Sequence, residues 1–199
     1  MSDHYFTPEP ASADERRPLT LMLAGRRVTV TVSPGVFSPG GLDKGTRVLL
    51  DEAPEPPEEG TFLDLGCGWG AVALTLGLLR PDAEVWAVDV NERALDLARM
   101  NALSLHREGI RVARPDQVPP GTRFDVIWSN PPIRIGKEAL HDLLATWLPR
   151  LAPAGAAYLV VSKNLGADTL RRWVSSELGM PCERVATSGG FRVLRVARG

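Results

Sequence analysis

Asp64-Leu65-Gly66-Cys67-Gly68-Trp69-Gly70 sets one carboxylate beside three alternating glycines. Glycines tolerate positive φ and let the backbone approach a ligand, and a helix opening after them offers unpaired N–H groups. Gly66, Gly68 and Ala71 also satisfy the dinucleotide spacing G-x-G-x-x-G/A, so the string alone does not separate two cofactors, and tight strand-to-helix packing would use the same glycines. Asp64 tilts the choice: just before the first glycine a carboxylate repels a pyrophosphate but suits the cationic amino group of a methionine moiety. Asp89, 25 residues after Asp64, can accept both hydroxyls of a ribose. It could instead cap the helix ahead of Glu92, but Asn91 fits that cap better. The residues favour S-adenosylmethionine as ligand, held by Asp64, Gly66, Cys67, Gly68, Gly70, Asp89 and Val90.

Ser129-Asn130-Pro131-Pro132-Ile133 is the second chemical feature. Two consecutive prolines neither continue a strand nor enter a helix interior, so they hold a rigid turn and fix the Asn130 amide. An exocyclic amine conjugated to a ring or carbonyl is a poor nucleophile because its lone pair is delocalised. The Asn130 side-chain oxygen and the Pro131 carbonyl can accept both N–H bonds, hold the nitrogen toward tetrahedral geometry and aim the lone pair at a sulfonium methyl. A neutral thioether leaves, so neither a metal nor a strong base is required. Asn130, Pro131 and Pro132 are the catalytic candidates, with Asn130 also bordering the donor; the bland alternative is a β-turn with an Asx-type contact.

The elements that must position these residues follow from hydrophobic period. From Thr61 onward, short apolar runs alternate with helix-period segments, the pattern of βα units winding a parallel sheet. The spacing predicts strands over 61–65, 84–89, 110–113, 124–129 and 156–162, and helices over 70–79, 92–104, 137–151 and 167–178. A closing hairpin over 184–196 turns at Gly189-Gly190 and adds an antiparallel strand at one edge. Ahead of this α/β doubly wound, mostly parallel sheet lie a hairpin turning at Gly25-Arg26 and a short helix over 43–50. Residues 1–52 therefore read as a tail, hairpin and short helix, and residues 53–199 as the doubly wound domain. Open sheets of this kind bind ligands at the carboxyl ends of their strands, where strand order reverses.

Composition restricts the function classes. With 199 residues, 44% hydrophobic and 24% charged, the chain reads as one globular domain and not as a disordered or fibrous one. Met1 to Arg17 has no apolar core and no later run is long enough to span a bilayer, so a cytoplasmic location is expected. Two cysteines, Cys67 and Cys182, without histidines at ligand spacing argue for reduced thiols and no metal. Net charge is −1, but residues 1–133 carry 13 Lys and Arg against 19 Asp and Glu, whereas residues 134–199 carry 10 against 5. That C-terminal excess is either a solvated surface or a phosphate-facing patch.

The sequence resembles the class I methyltransferases of the small-subunit ribosomal RNA guanine-N2 type over roughly residues 35–198. The resemblance is carried by Gly35-Val36-Phe37-Ser38, Leu42-Asp43-Lys44-Gly45-Thr46, the Asp64–Gly70 loop, the run from Phe124 to Pro132, and Gly190-Phe191-Arg192-Val193. It implies a Rossmann-like fold, S-adenosylmethionine as cofactor and guanine N2 of 16S ribosomal RNA as methyl acceptor. It further implies that residues 1–52 cover the pocket, with Phe37 and Thr46 beside the cofactor, Asp116 near the adenine amine, and Ile133 and Arg134 on the substrate. The position after Asn-Pro-Pro is usually aromatic in that family, so Ile133 is a departure. Longer members carry a degenerate second domain ahead of the active one, where this chain shows a hairpin preface. An acceptor of another kind (a protein glutamine, a DNA adenine, a small-molecule amine) fits the same Asn-Pro-Pro chemistry. A nucleoside- or RNA-binding module without catalysis, and more distantly a dehydrogenase, fit the glycine loop. His4-Tyr5-Phe6 could fold over the site mouth, and Arg134 and Lys137 could meet a phosphate.

Overall fold

The computed structural model describes residues 13–36, 38, 40–132 and 135–198. Phe37, Ile133, Arg134 and the His4-Tyr5-Phe6 run lie outside the described residues. In chain order the elements are β1 (Arg17–Leu23), β2 (Arg26–Val32), α1 (Lys44–Glu52), β3 (Thr61–Leu65), α2 (Ala71–Leu79), β4 (Glu84–Val88), α3 (Glu92–Ser104) and β5 (Ile110–Ala113). There follow β6 (Phe124–Ser129), α4 (Lys137–Trp147), β7 (Leu151–Ser162), α5 (Ala167–Glu177), β8 (Cys182–Ser188) and β9 (Phe191–Ala197). Among the described residues no helix is long and apolar enough to cross a membrane.

The strands of the main sheet lie in the order β5-β4-β3-β6-β7-β9-β8, parallel from β5 to β7, with β9 antiparallel to both of its neighbours. Nearly every residue of β3, β4 and β6 is buried, as a parallel sheet covered on both faces requires. Side chains alternate between two cores. Leu63, Ile127, Leu159 and Leu194 meet α4 and α5 through Leu144, Trp147 and Val174. Phe62, Val85, Val126 and Val193 meet α1, α2 and α3 through Leu49, Leu76 and Leu95. The chain winds from β3 outward through β4 to β5, then returns to β6 on the other side of β3, so the order reverses between the carboxyl ends of β3 and β6. That crevice is where Asp64 and Asn130 emerge.

Several boundaries differ from the sequence expectation, and three of the shifts have a plain physical reason. The first hairpin turns at Ala24-Gly25, with φ 47° and 71°, so Leu23 pairs with Arg26; a tight two-residue hairpin needs positive φ at both central residues, and Ala24 accepts one of them. Helix α4 stops at Trp147 because Pro149 has no N–H to donate, and Leu148–Arg150 close as a 3₁₀ turn. Strand β7 begins at Leu151, five residues before the expected start, since Leu151 pairs with Phe124 and the Ala152-Pro153-Ala154-Gly155 run is a bulge in the ladder. Gly155 is confined there by backbone: a Cβ would lie 2.6 Å from the Phe124 carbonyl oxygen.

The N-terminal hairpin packs its apolar face, including Leu23, Val28, Val30 and Val32, onto Leu74, Leu78 and Leu97 of α2 and α3. Asn101 of α3 stitches it to the glycine loop. Its side-chain oxygen accepts from Thr31 N–H at 2.7 Å, and its amide donates to the carbonyls of Thr31 and Trp69 at 3.0 Å each. Asn101 is 1% exposed, so Asn101→Ala leaves buried donors and acceptors unpaired and should cost about 2–4 kcal/mol. Urea unfolding checks this; a loss below about 0.5 kcal/mol would mean that the stitch does not anchor the hairpin.

Candidate functional site

The glycine loop is built from β3 outward. Gly66, Gly68 and Gly70 hold φ of 79°, 53° and 97°, a backbone that other residues enter only with strain. The Val88 carbonyl accepts from both Gly66 and Cys67 N–H, at 2.8 and 3.0 Å, which ties the loop to the end of β4. Gly70 caps α2 without a side chain, and Asp64 supplies the missing acceptor, taking the Ala73 N–H at 2.9 Å. That bond is a structural reason for Asp64, yet it engages one carboxylate oxygen, and Asp64 also lines the cleft.

Asp64 is 2% exposed, and burial, with the neighbouring Asp89 adding to it and the Ala73 N–H opposing, pushes its carboxyl up to about 8. A carboxylate held so reluctantly is suited to a site that receives a cation. Asp89 accepts from Gly68 N–H at 2.9 Å through one oxygen and from Asn91 N–H at 3.0 Å through the other, and the Val90 N–H also bonds the carboxylate, which fixes its orientation at the end of β4. Burial raises its pKa, while the N–H groups of Asn91, Gly68 and Val90 oppose the shift. Asn91 takes the helix cap, accepting from Ala94 N–H at 3.1 Å. The Cys67 thiol is buried and pushed up by that burial and by the two nearby carboxylates, so it stays neutral and is no nucleophile.

On the other side of the crevice, Ser129 is fully buried and donates to the Leu65 carbonyl at 2.7 Å, clamping the carboxyl ends of β3 and β6 together. Asn130 follows. Its Nδ2 donates to Asp43 Oδ2 and to Thr46 Oγ1, both at 3.0 Å. Asp43 caps α1 with the same oxygen, accepting from Gly45 N–H at 2.8 Å and Thr46 N–H at 3.3 Å. A carboxylate is acceptor-only, so the amide must turn its nitrogen to α1, and Oδ1 is left for another donor. Gly45 gives this cluster room: a methyl there would lie 3.0 Å from Asp43 Oδ2 and 3.3 Å from Asn130 Nδ2, closer than side chains ordinarily pack.

Asp43, Thr46, Asp64, Gly66, Cys67, Gly68 and Asn130 border one narrow cleft, open to solvent, with Ser38, Leu42, Trp69, Ala71 and Val72. Gly70 and Asp89 stand behind it, bonded to Cys67 and Gly68 of its border, whereas Gly70, Asp89, Val90, Pro131 and Pro132 are not themselves among the residues that border it. Asp116 sits in a 3₁₀ turn beyond β5, exposed and paired with Arg114 at 3.3 Å, outside the residues that border the cleft. Sequence reasoning missed the roles of Asp43 and Ser129. Asp43 announced itself only as a helix cap, and its bond to Asn130 crosses 87 residues. Among the described residues no cluster of His, Cys, Asp and Glu could hold a metal ion.

The profile of the family described as Methyltransferase small domain matches residues 27–195. The chain belongs to the methyltransferase small domain family. This methyltransferase domain is 34% identical to the uncharacterized protein YbxB of Bacillus subtilis (strain 168), over 85% of this chain and 86% of that protein. It is also 34% identical to Ribosomal RNA small subunit methyltransferase C of Pseudomonas entomophila (strain L48), over 99% of this chain and 59% of the relative. Another protein of that name, from Pseudoalteromonas translucida (strain TAC 125), matches at 34% over 77% of this chain and 46% of its own length. The chain thus spans about half the length of these ribosomal RNA relatives. A T. Thermophilus 16S rRNA N2 methyltransferase (RsmC), solved in complex with AdoMet and guanosine, shares the fold with a TM-score of 0.79 at 23% identity, over 96% of this chain and 52% of that one.

Proposed function

We propose that this methyltransferase domain uses S-adenosylmethionine to methylate the exocyclic N2 amine of guanine in small-subunit ribosomal RNA. The observation that carries the reading is the Asn130 amide, whose nitrogen is committed to Asp43 and Thr46 and whose oxygen is therefore the acceptor that a conjugated amine needs. The ribosomal RNA methyltransferases among the relatives support the choice of acceptor.

The donor's fit rests on the chain's own groups. Asp64 would meet its ammonium, Asp89 its ribose, and the backbone of Gly66, Cys67, Gly68, Gly70 and Val90 its flanks; Thr46 would stand on the same wall, and the resemblance assigns Phe37 to the donor and Asp116 to its adenine end. When bound, S-adenosylmethionine supplies an electrophilic methyl on a sulfonium that leaves as a neutral thioether. Asn130 Oδ1 and the Pro131 carbonyl accept the two amine N–H bonds and turn the nitrogen lone pair out of conjugation, with Pro132 keeping the turn rigid. The C–N bond forms, and the nitrogen's surplus proton passes to solvent. On this reading residues 1–52 serve the donor side, through Ser38, Leu42, Asp43 and Thr46 at the cleft, and residues 53–199 carry the reacting groups. The resemblance assigns Ile133 and Arg134 to the substrate, and the positive excess beyond residue 133 suits an RNA backbone. Extracting a paired guanine costs a few kcal/mol, which those contacts offset.

The deciding experiment offers the purified chain and labelled S-adenosylmethionine to naked 16S RNA, assembled small subunits, DNA and peptide pools, then digests each and identifies the labelled product. N2-methylguanosine from RNA is expected. Label confined to adenine, a glutamine-bearing peptide or a small amine overturns the acceptor assignment, and binding without transfer to any pool overturns catalysis.

A further inference from the structure

Arg192 is a buried cation in an apolar setting. On β9 it alternates with Phe191 and Val193, so it shares a face with Leu194 and Val196, which pack in the core beneath α4 and α5. It is 8% exposed. Its guanidinium pairs with Asp168 in the first turn of α5, while its buried Nε has no acceptor among the described residues. A guanidinium stripped of water, with one exposed carboxylate as its ion-pair partner, adds little stability over a packed aliphatic chain. Its presence points to a ligand.

Helix α5 offers that ligand a second handle. It has eleven residues and opens behind Gly166, at φ 91°, with no side chain capping its first N–H groups, an end that favours an anion. The Arg192 bond, aided by the charges of Arg184 and Arg171, holds the Asp168 carboxyl below the ordinary carboxylate range. Arg171 of α5 and Arg184 of β8 form no ion pair among the described residues. Three guanidinium groups thus gather round one carboxylate. The cluster lies toward the carboxyl edge: Ser129, at the end of β6, pairs with Leu159 of β7, and Arg192 pairs with Val161, two residues further along β7. Two strand spacings, roughly 10 Å, separate β9 from β6. A nucleotide whose amine meets Asn130 spans that gap with its own phosphate or its neighbour's.

We propose that Arg192, the open first turn of α5 and the flanking Arg171 and Arg184 bind a backbone phosphate of the RNA acceptor, Asp168 being the resident anion that the phosphate displaces. The inference rests on RNA as the acceptor and adds the contact that positions its backbone. Phosphate contacts set register and orientation and carry no sequence information, so the choice of base stays with the Asn130 side of the site.

The test titrates a 16S RNA fragment onto the full chain over a range of salt concentrations, in wild type, Asp168→Asn, Arg192→Gln and the double variant Arg171→Ser/Arg184→Ser. Asp168→Asn removes the resident anion and should tighten RNA binding by about 3-fold at low salt. Arg192→Gln and the double variant should each weaken it by on the order of 10-fold, and each lost phosphate contact should lower the salt slope by about 0.7–1. Donor affinity should not change in any of them. An ion pair that only fastens α5 to β9 predicts instead that Asp168→Asn and Arg192→Gln both lose stability in urea without opposite effects on RNA. Asp168→Asn with RNA affinity unchanged or weaker overturns the proposal, as does a folded double variant with wild-type affinity and slope; these two variants decide even if Arg192→Gln does not fold. If the variant dependence appears only in titrations with inorganic phosphate, the cluster takes a free anion and the assignment to RNA falls. Failure of the acceptor reading shows separately, as wild-type label in a pool other than RNA.

Discussion

Asn130→Ala should lower the single-turnover rate of methyl transfer by about 10²–10³-fold at saturating donor, with donor affinity changing far less. On the proposed mechanism the truncation removes the acceptor that would localise the amine lone pair, and it also frees the Asp43 and Thr46 oxygens that the amide now satisfies. Asn130→Asp is not a conservative rescue. A carboxylate cannot donate to Asp43, and two acceptors with like charge would face each other at the end of α1. Asn130→Gln keeps the chemistry but displaces it by one methylene, enough to cost on the order of 10²-fold when positioning supplies most of the rate. Quenched-flow transfer of a labelled methyl group measures all three. An Ala variant keeping more than a tenth of the wild-type rate would remove Asn130 from the reaction.

Asp64→Asn should weaken S-adenosylmethionine binding by on the order of 100-fold near pH 8, since a buried charge partner of the ammonium is lost while the bond to Ala73 N–H can be kept by the amide oxygen. The pH dependence is the more telling result. In the empty protein Asp64 is pushed up to about 8. A folded-state value above the unfolded one means that the native chain holds an extra proton between about pH 4 and pH 8. The group's contribution to stability therefore falls as pH rises through that window and levels off above it. Asp64→Asn should flatten that decline in urea titrations of the donor-free protein. Donor affinity of the wild type should climb toward pH 8 as the carboxylate ionises and drop beyond it as the ligand's α-amino group, of pKa about 7.7–8.0, loses its proton. Calorimetric titrations from pH 6 to 9 would show the maximum in the wild type and its rising limb missing in the variant. A wild-type affinity that does not rise between pH 6 and 8 would mean that Asp64 meets no cation.

Much of the frame was legible because the signals are local. The runs 61–65, 110–113 and 124–129 are apolar and bounded by turn residues, and 92–104 has helical period behind an Asn cap; all four elements form with those bounds. The start of β7 was not legible, because Ala-Pro-Ala-Gly reads as loop and joins the sheet only through pairing of Leu151 with Phe124. The site divides the same way. The glycines and Asn-Pro-Pro are visible as motifs, but the orientation of the Asn130 amide depends on a helix 84–87 residues earlier, and no local period encodes such a contact. Ser129 read as the last residue of a strand, whereas its hydroxyl is the clamp between β3 and β6.

The bonds from Asn130 to α1 tie the chemistry to one of the two shortest α-helices among the described residues. Helix α1 has nine residues and reaches the core through one fully buried leucine, Leu49, with Val48 beside it. Local opening of so short a segment requires less free energy than melting the seven-stranded sheet. On warming, then, turnover should fade while the far-ultraviolet circular dichroism is still native, and mild heat would act as a reversible off-switch for an otherwise intact protein.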